Sequence, residues 1–229
     1  MSADTHDDTE KPGRKCLPTY LVLDISSSMQ PHEQLLNQTL VNLFDTLQAN
    51  PRVSEFAHLS IIAFSTTPHL VLEMTDIDKV DTLPQVACNG ATNYGAAFGM
   101  VQDRINADLP DLRAAGLSTL RPIVFFMTDG EPTDHDWEKA FELLVDKSWP
   151  RHPHVVTYGF GQATPEVLKK VATKAAFIAN EFSADQDALA SALSSLVNTI
   201  VKSAERQQTE IPEEVPGYTS IPIPDEEVT

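Results

Sequence analysis

Two short apolar runs, each closed by an aspartate, constrain this chain more than any other feature. Tyr20-Leu21-Val22-Leu23 runs into Asp24, and Ile123-Val124-Phe125-Phe126-Met127 runs into Thr128-Asp129. A strand with one wet face alternates apolar and polar residues. An unbroken apolar run of this length fits a strand covered on both faces, as in a parallel sheet between two layers of helices. If the two runs are neighbouring parallel strands, the loops that follow them leave the same edge of one sheet.

The rest of the chain supplies the other parts of such a fold. Apolar residues at Leu35, Leu36, Leu40, Leu43, Phe44 and Leu47 recur at the helical period after Pro31, a residue suited to a first turn, and Asn50-Pro51 ends the helix. Leu59–Phe64 and Leu70–Met74 read as strands. The linker between them is too short for a parallel crossover, so they form an antiparallel hairpin at the sheet's edge. Helices follow at Tyr94–Ile105, around Trp137–Val145 and at Pro165–Lys174. Val155–Phe160 is a strand, Phe177–Phe182 a weaker one, and Leu189–Val201 a closing amphipathic helix. This alternation predicts an α/β fold with a mainly parallel sheet and helices on both faces.

Residues 1–16 read as a flexible, polar N-terminal segment, 17–203 as one domain, and 204–229 as an acidic tail whose four prolines exclude a regular helix. Sixteen Lys and Arg stand against 33 Asp and Glu, a net charge of -17. That balance disfavours binding to nucleic-acid phosphates or to an anionic membrane. No apolar stretch is long enough to cross a bilayer, and the acidic start is unlike a secretory signal. Two cysteines, Cys16 and Cys88, make no disulfide framework; two reduced thiols in a cytoplasmic protein are the expectation.

The loops carry oxygen donors. Asp24, Ser26 and Ser28 come from the first, Asp129 from the one after the second run, and Thr92 from Asn89-Gly90-Ala91-Thr92-Asn93. Ser26 and Ser28, two residues apart on a sharp turn, point the same way. Asp24 and Asp129 are expected to hold a coordinated water or a serine hydroxyl. With no thiolate and no required imidazole, the set suits Mg²⁺ or Mn²⁺ better than zinc or copper. Neutral hydroxyls leave such an ion underneutralised, so a vacant position would attract an Asp or Glu carboxylate from a partner protein. Each string has an ordinary reading too: Asp-x-Ser-x-Ser and Thr-Asp-Gly are common turns, and Thr92 would serve as a helix cap. Their joint placement after core strands favours the metal.

YLVLDISSSM, NGATNYG and VFFMTDGEPTD together resemble the von Willebrand factor A family, over about residues 17–203. The resemblance implies a Rossmann-like sheet of six strands with the short edge strand antiparallel, and a metal-ion-dependent adhesion site built from Asp24, Ser26, Ser28, Thr92 and Asp129. Within the family the chain looks most like stand-alone bacterial proteins of the TerY type. Those are associated with tellurite resistance and with genes for a protein kinase and a metal-dependent phosphatase, which implies both as partners. It departs from relatives that carry a cysteine-rich C-terminal metal segment.

Other residues read more plainly. Glu131, Asp134, His135 and Asp136 form a solvated loop, with Asp134 or Asp136 capping the helix at Trp137. His152 and His154 read as surface histidines rather than a zinc pair, and Cys88 as a small buried residue. Val215–Pro224 is a solubilising end or, alternatively, a linear docking motif whose acidic end enters a neighbour's metal site. The function expected is a non-enzymatic, metal-bridged interaction module. The alternative is a Mg²⁺-dependent phosphotransferase or hydrolase with Asp24 as nucleophile; no Lys or Arg stands beside the metal loops in sequence to support it. An extracellular adhesin fits the missing export signal and sparse cysteines poorly.

Overall fold

The computed structural model describes residues 13–181 and 184–223. Strand β1 (Lys15–Asp24) leads through a 3-10 turn (Ser27–His32) to α1 (Glu33–Gln48) and α2 (Pro51–Phe56). A hairpin of β2 (Ala57–Phe64) and β3 (Pro68–Asp76) follows, then α3 (Tyr94–Ala114) and a two-residue β4 (Ser118–Thr119). The second half runs β5 (Ile123–Thr128), α4 (Trp137–Val145), β6 (His154–Gly159), α5 (Pro165–Lys170), β7 (Ala175–Ala179), α6 (Asp185–Arg206) and β8 (Tyr218–Ile221).

The strands lie in the order β3-β2-β1-β5-β6-β7-β8, with β4 pairing beside β1. β2, β1, β5, β6 and β7 are parallel, and β3 runs antiparallel to β2 at one edge. The α/β, Rossmann-like reading therefore holds, hairpin included. β1 and β5 are buried on both faces because each divides its apolar side chains between two layers. Leu21, Leu23, Phe125 and Met127 join a core with α1 and α6. Tyr20, Val22, Val124 and Phe126 join another with α3 and α4. Burying each large side chain contributes about 1.5–3 kcal/mol. Around Phe126 the aromatics interlock, with Phe64 stacked at 5.2 Å and Tyr94 edge-on at 4.8 Å.

Three differences from the sequence reading are informative. Among the described residues the sheet has eight strands rather than six. β4 is too short to leave a pattern, and β8 comes from the segment read as a tail. There Tyr218 is buried and Tyr218–Ile221 pairs antiparallel with β7, giving the sheet a second antiparallel edge. Pro31 lies in the 3-10 turn, and the α-helix begins at Glu33. Asn50 does not simply end a helix: its side chain accepts a bond from Arg52 N and starts α2, with Pro51 in the first turn. The expected mobility of residues 1–12 and the acidic end at 224–229 lie outside the described residues; Lys15 and Cys16 already belong to β1.

Candidate metal centre

From β1 the chain steps to β2 on one side, and later β5 is laid against β1 on the other. The crevice between β1 and β5 is thus the point where the strand order reverses, the place where open α/β sheets form their sites. Asp24 is the last residue of β1, and Asp129 directly follows β5. Both are buried.

Hydrogen bonds join the two loops. Asp24 Oδ1 accepts Ser26 N at 2.8 Å, and Asp24 Oδ2 accepts the Thr128 hydroxyl at 2.7 Å. Ser28 Oγ donates to Asp129 Oδ1 at 2.8 Å and lies 3.0 Å from Ser26 Oγ. A hydroxyl has one proton: that of Ser28 is committed to Asp129, and that of Ser26 has the Asp24 carboxylate and Ser28 Oγ as its acceptors. Both serine oxygens keep a lone pair for a positive partner. Asp129 takes a serine hydroxyl, as expected. Asp24 takes the Ser26 backbone amide and the Thr128 hydroxyl, with the Ser26 side chain bonding to it as well.

The loop carrying Thr92 is held against both of the others. Ser27 N donates to Gly90 O at 3.0 Å, and Asn89 N to Ile25 O at 2.8 Å. From the far side, Thr133 donates through its amide (2.8 Å) and its hydroxyl (3.0 Å) to Thr92 O. Gly90 sits at φ +85°, a conformation open to glycine, and an added Cβ would meet Thr66 Oγ1 at 2.7 Å. The buried Thr92 does not cap α3. Asn93 does, accepting from Ala96 N.

Asp134 completes that helix start from another loop: its carboxylate accepts both Tyr94 N and Gly95 N at 2.9 Å. A Cβ on Gly95 would approach Asp134 Oδ2 to 2.7 Å, which accounts for the glycine. Asp134 therefore ties the β5 loop to the Thr92 loop. Asp136 is the residue before α4, without a side-chain cap bond. Sequence reading missed this role for Asp134 because the bond spans 40 positions. Thr128 and Tyr94 are further supports: the Tyr94 hydroxyl donates to Gly130 O at 2.8 Å, 3.0 Å from Thr128 Oγ1.

The electrostatics are those of anions short of a counter-charge. Burial pushes the Asp24 carboxyl up to about 6, against the bonds from Ser26 and Thr128, and the charge of Asp129 adds to the rise. Burial likewise raises Asp129, opposed by the Ser28 bond and by nearby His32. Among the described residues no Lys or Arg side chain bonds to either carboxylate, and no group of three or more His, Cys, Asp or Glu is placed to hold a metal. The donor set is two carboxylates plus hydroxyls, which fits a hard cation.

The sequence matches the von Willebrand factor type A domain over residues 20–199. The chain belongs to that family. No curated protein matches it. Solved structures share the fold at low identity. One is the mussel byssus proximal thread matrix protein 1 with a zinc-occupied MIDAS motif, 19% identical with TM-score 0.54, covering 82% of this chain and 48% of that one. Another is the ArnB paralog VWA2 from Sulfolobus acidocaldarius, at 18% and TM-score 0.55, covering 83% and 45%. The pilus adhesin SpaC from Lactobacillus rhamnosus GG, in an open conformation, is 12% identical with TM-score 0.62, covering 84% and 31%. The chain spans about half the length of the mussel structures it matches.

The other candidate residues play structural parts. Cys16 and Cys88 are both buried and free, and burial pushes each thiol up to about 12. His152 contacts Arg121 and Trp149 O, whereas His154 opens β6.

Proposed function

We propose that this chain is a protein-interaction module that grips a divalent cation and uses it to capture a carboxylate from a partner. Asp24, Ser26, Ser28, Thr92 and Asp129 would hold the ion. The observation that carries this reading is the relay Ser26–Ser28–Asp129, which fixes two hydroxyls and a buried carboxylate from separate loops at the strand switch point. When bound, the cation supplies positive charge to two buried carboxylates and an open position for a third from outside.

The chain's own residues do the rest. Asp24 is locked by Ser26 N and Thr128. Its oxygens therefore orient the serine turn, while Asp129 orients Ser28. Neutral serine and threonine ligands keep the site's own charge low and favour an external Asp or Glu. Mg²⁺ or Mn²⁺ is the proposed ion, on the hardness of the oxygens. The zinc in the mussel protein's MIDAS motif makes zinc the competitor to measure. The role proposed is non-enzymatic; among the described residues the site carboxylates bond to serine and threonine groups and to no Lys or Arg of the kind that stabilises a transferred phosphoryl group. The proposed setting is the cytoplasm. A protein kinase and a metal-dependent phosphatase are proposed as partners, in a stress or tellurite-resistance system, on the TerY-type sequence likeness alone.

Calorimetry with Mg²⁺, Mn²⁺ and Zn²⁺, and capture of an Asp- or Glu-bearing partner with and without chelator, test the reading. Cation uptake and chelator-sensitive capture, both lost in Asp129→Ala, are expected. Capture that survives chelation, or phosphatase turnover abolished by Asp24→Asn, would overturn it.

A further inference from the structure

The edge of the sheet opposite the candidate metal centre carries a row of cations. Asp24 and Asp129 stand at the C-terminal ends of β1 and β5. At the N-terminal ends, Lys174 directly precedes β7, Arg151 comes shortly before β6, and Arg121 shortly before β5. His154 N donates to Pro122 O and Lys174 N to Val155 O, which keeps these three approaches side by side. The chain has only 16 basic residues against 33 acidic ones, so a row of this kind is out of proportion.

What holds these cations sets them apart. Elsewhere Arg104, Lys170 and Arg206 have carboxylate partners in Asp108, Glu138 and Glu210. On this edge the guanidinium groups rest on uncharged acceptors. Arg151 donates to Asn106 Oδ1 at 3.1 Å, and Arg113 Nε to Thr119 Oγ1 at 3.1 Å. Arg121 contacts His152 Nε2. His152 Nδ1 lies 2.8 Å from Trp149 O, a carbonyl that can only accept, so Nδ1 carries a proton and Nε2 accepts from Arg121. The Asp146 carboxylate is taken up by Ser148 N and Oγ, both at 2.8 Å. Among the described residues, none of Arg113, Arg121 and Arg151 pairs with a carboxylate. Neutral acceptors aim each guanidinium and leave its charge and remaining N–H groups for an anion.

The chain brings carboxylates to this same edge. β8 runs antiparallel to β7 with Ile221 opposite Ala176, so the chain leaves the sheet near Lys174, and Ile223 and Lys174 line one cleft. The sequence continues Pro224-Asp225-Glu226-Glu227, beyond the described residues. From β8 to β5 is three strand spacings, about 14 Å. Residues 224–227 span about 13–14 Å when extended, before the Glu and Arg side chains add their reach.

We propose that the N-terminal edge of the sheet is a docking strip for the chain's own acidic segment, with Asp225, Glu226 and Glu227 lying across Lys174, Arg151 and Arg121. Single exposed ion pairs contribute little. Several on one short tether act together, at an effective concentration in the millimolar range. Docked there, the segment closes the strip to acidic stretches of other proteins until it is displaced. The contact lies at the far edge from Asp24 and Asp129 and stands without the cation reading.

Backbone relaxation by NMR on the full chain reads the segment directly. In wild type the order parameters of residues 225–227 should stay above about 0.6 in about 0.01 M salt and fall below that in about 1 M. At low salt, Arg121→Gln/Arg151→Gln should free the segment. Lys139→Gln, which removes a charge near the start of α4 at the opposite edge, should leave it held. The variant Asp225→Asn/Glu226→Gln/Glu227→Gln changes no residue of the folded edge. It should free the segment and shift the side-chain N–H signals of Arg121 and Arg151 while sparing that of Arg104. A segment already mobile in wild type at low salt, or one held regardless of its charge, would overturn the proposal. So would ordering that fades on dilution to about 10 μM, which would assign the strip to the acidic segment of a second copy.

Discussion

Ser28 shows how little of the site is owed to folding. It is exposed, and its structural work is the bond to Asp129 and the contact with Ser26. An exposed hydrogen bond is worth about 1 kcal/mol, which moves the melting temperature of a domain this size by about 2–4 °C. The Ser26→Ala/Ser28→Ala double variant should therefore melt within several degrees of wild type while losing at least about ten-fold in divalent-cation affinity by calorimetry. Equal damage to both would mean that the serines serve the fold. The buried pair Cys16–His58 belongs wholly to the fold, with Sγ 3.1 Å from Nδ1. Burial keeps the thiol protonated, so it donates to a neutral imidazole. Burial also lowers the His58 pKa, against the pull of Asp76. Below the ordinary value of 6.5 the unfolded chain binds a proton that the folded chain refuses, so stability falls as pH drops. That slope is at most about 1.4 kcal/mol per pH unit. Denaturant midpoints at about pH 7.5 and pH 5.5 should converge in His58→Asn relative to wild type; an unchanged difference would show that other groups carry it.

Among the elements, legibility followed the range of the interaction that decides each one. β1 and β5 could be read directly, because burial on both faces writes an apolar run into consecutive residues. α1 and α6 show their faces through helical spacing. β8 could not be read that way. Four residues among prolines carry no period, and only the free edge of β7 and the pocket for Tyr218 make them a strand. α2 was hidden because Asn50-Pro51 ends one helix and caps the next with the same residues. The site divides likewise: Asp24, Ser26, Ser28 and Asp129 stand in recognisable strings, but Asp134 acts through a contact that no local spacing encodes. Its carboxylate supplies two of the amide bonds at the start of α3. Losing a helix cap costs about 0.5–2 kcal/mol. Asp134→Ala should lower stability by that amount in a denaturant titration. Cation affinity should fall with it, since the Thr92 loop loses its tie to the β5 loop. A stability loss with unchanged affinity would confine Asp134 to helix capping.

For the molecule as a whole, charge and cation binding make opposing demands that one experiment separates. A net charge of -17 repels itself in the compact state, so any added salt stabilises the fold by screening. A cation bound at the strand switch point does something more specific. It binds the folded chain alone, because Asp24, Asp129 and the hydroxyls come together only when β1 and β5 are paired and the three loops are tied. At about one hundred times its dissociation constant, such a ligand adds about 2.7 kcal/mol, or about 5–10 °C in melting temperature for a domain of this size. Melting should therefore rise by that amount with Mg²⁺ or Mn²⁺ over a NaCl control at matched ionic strength, and return to the control on chelation. Asp129→Ala keeps nearly all of the net charge and so keeps the screening response. It should lose the divalent increment entirely. Equal rises with NaCl and MgCl₂ in wild type would mean that the ion is felt only by the surface at large.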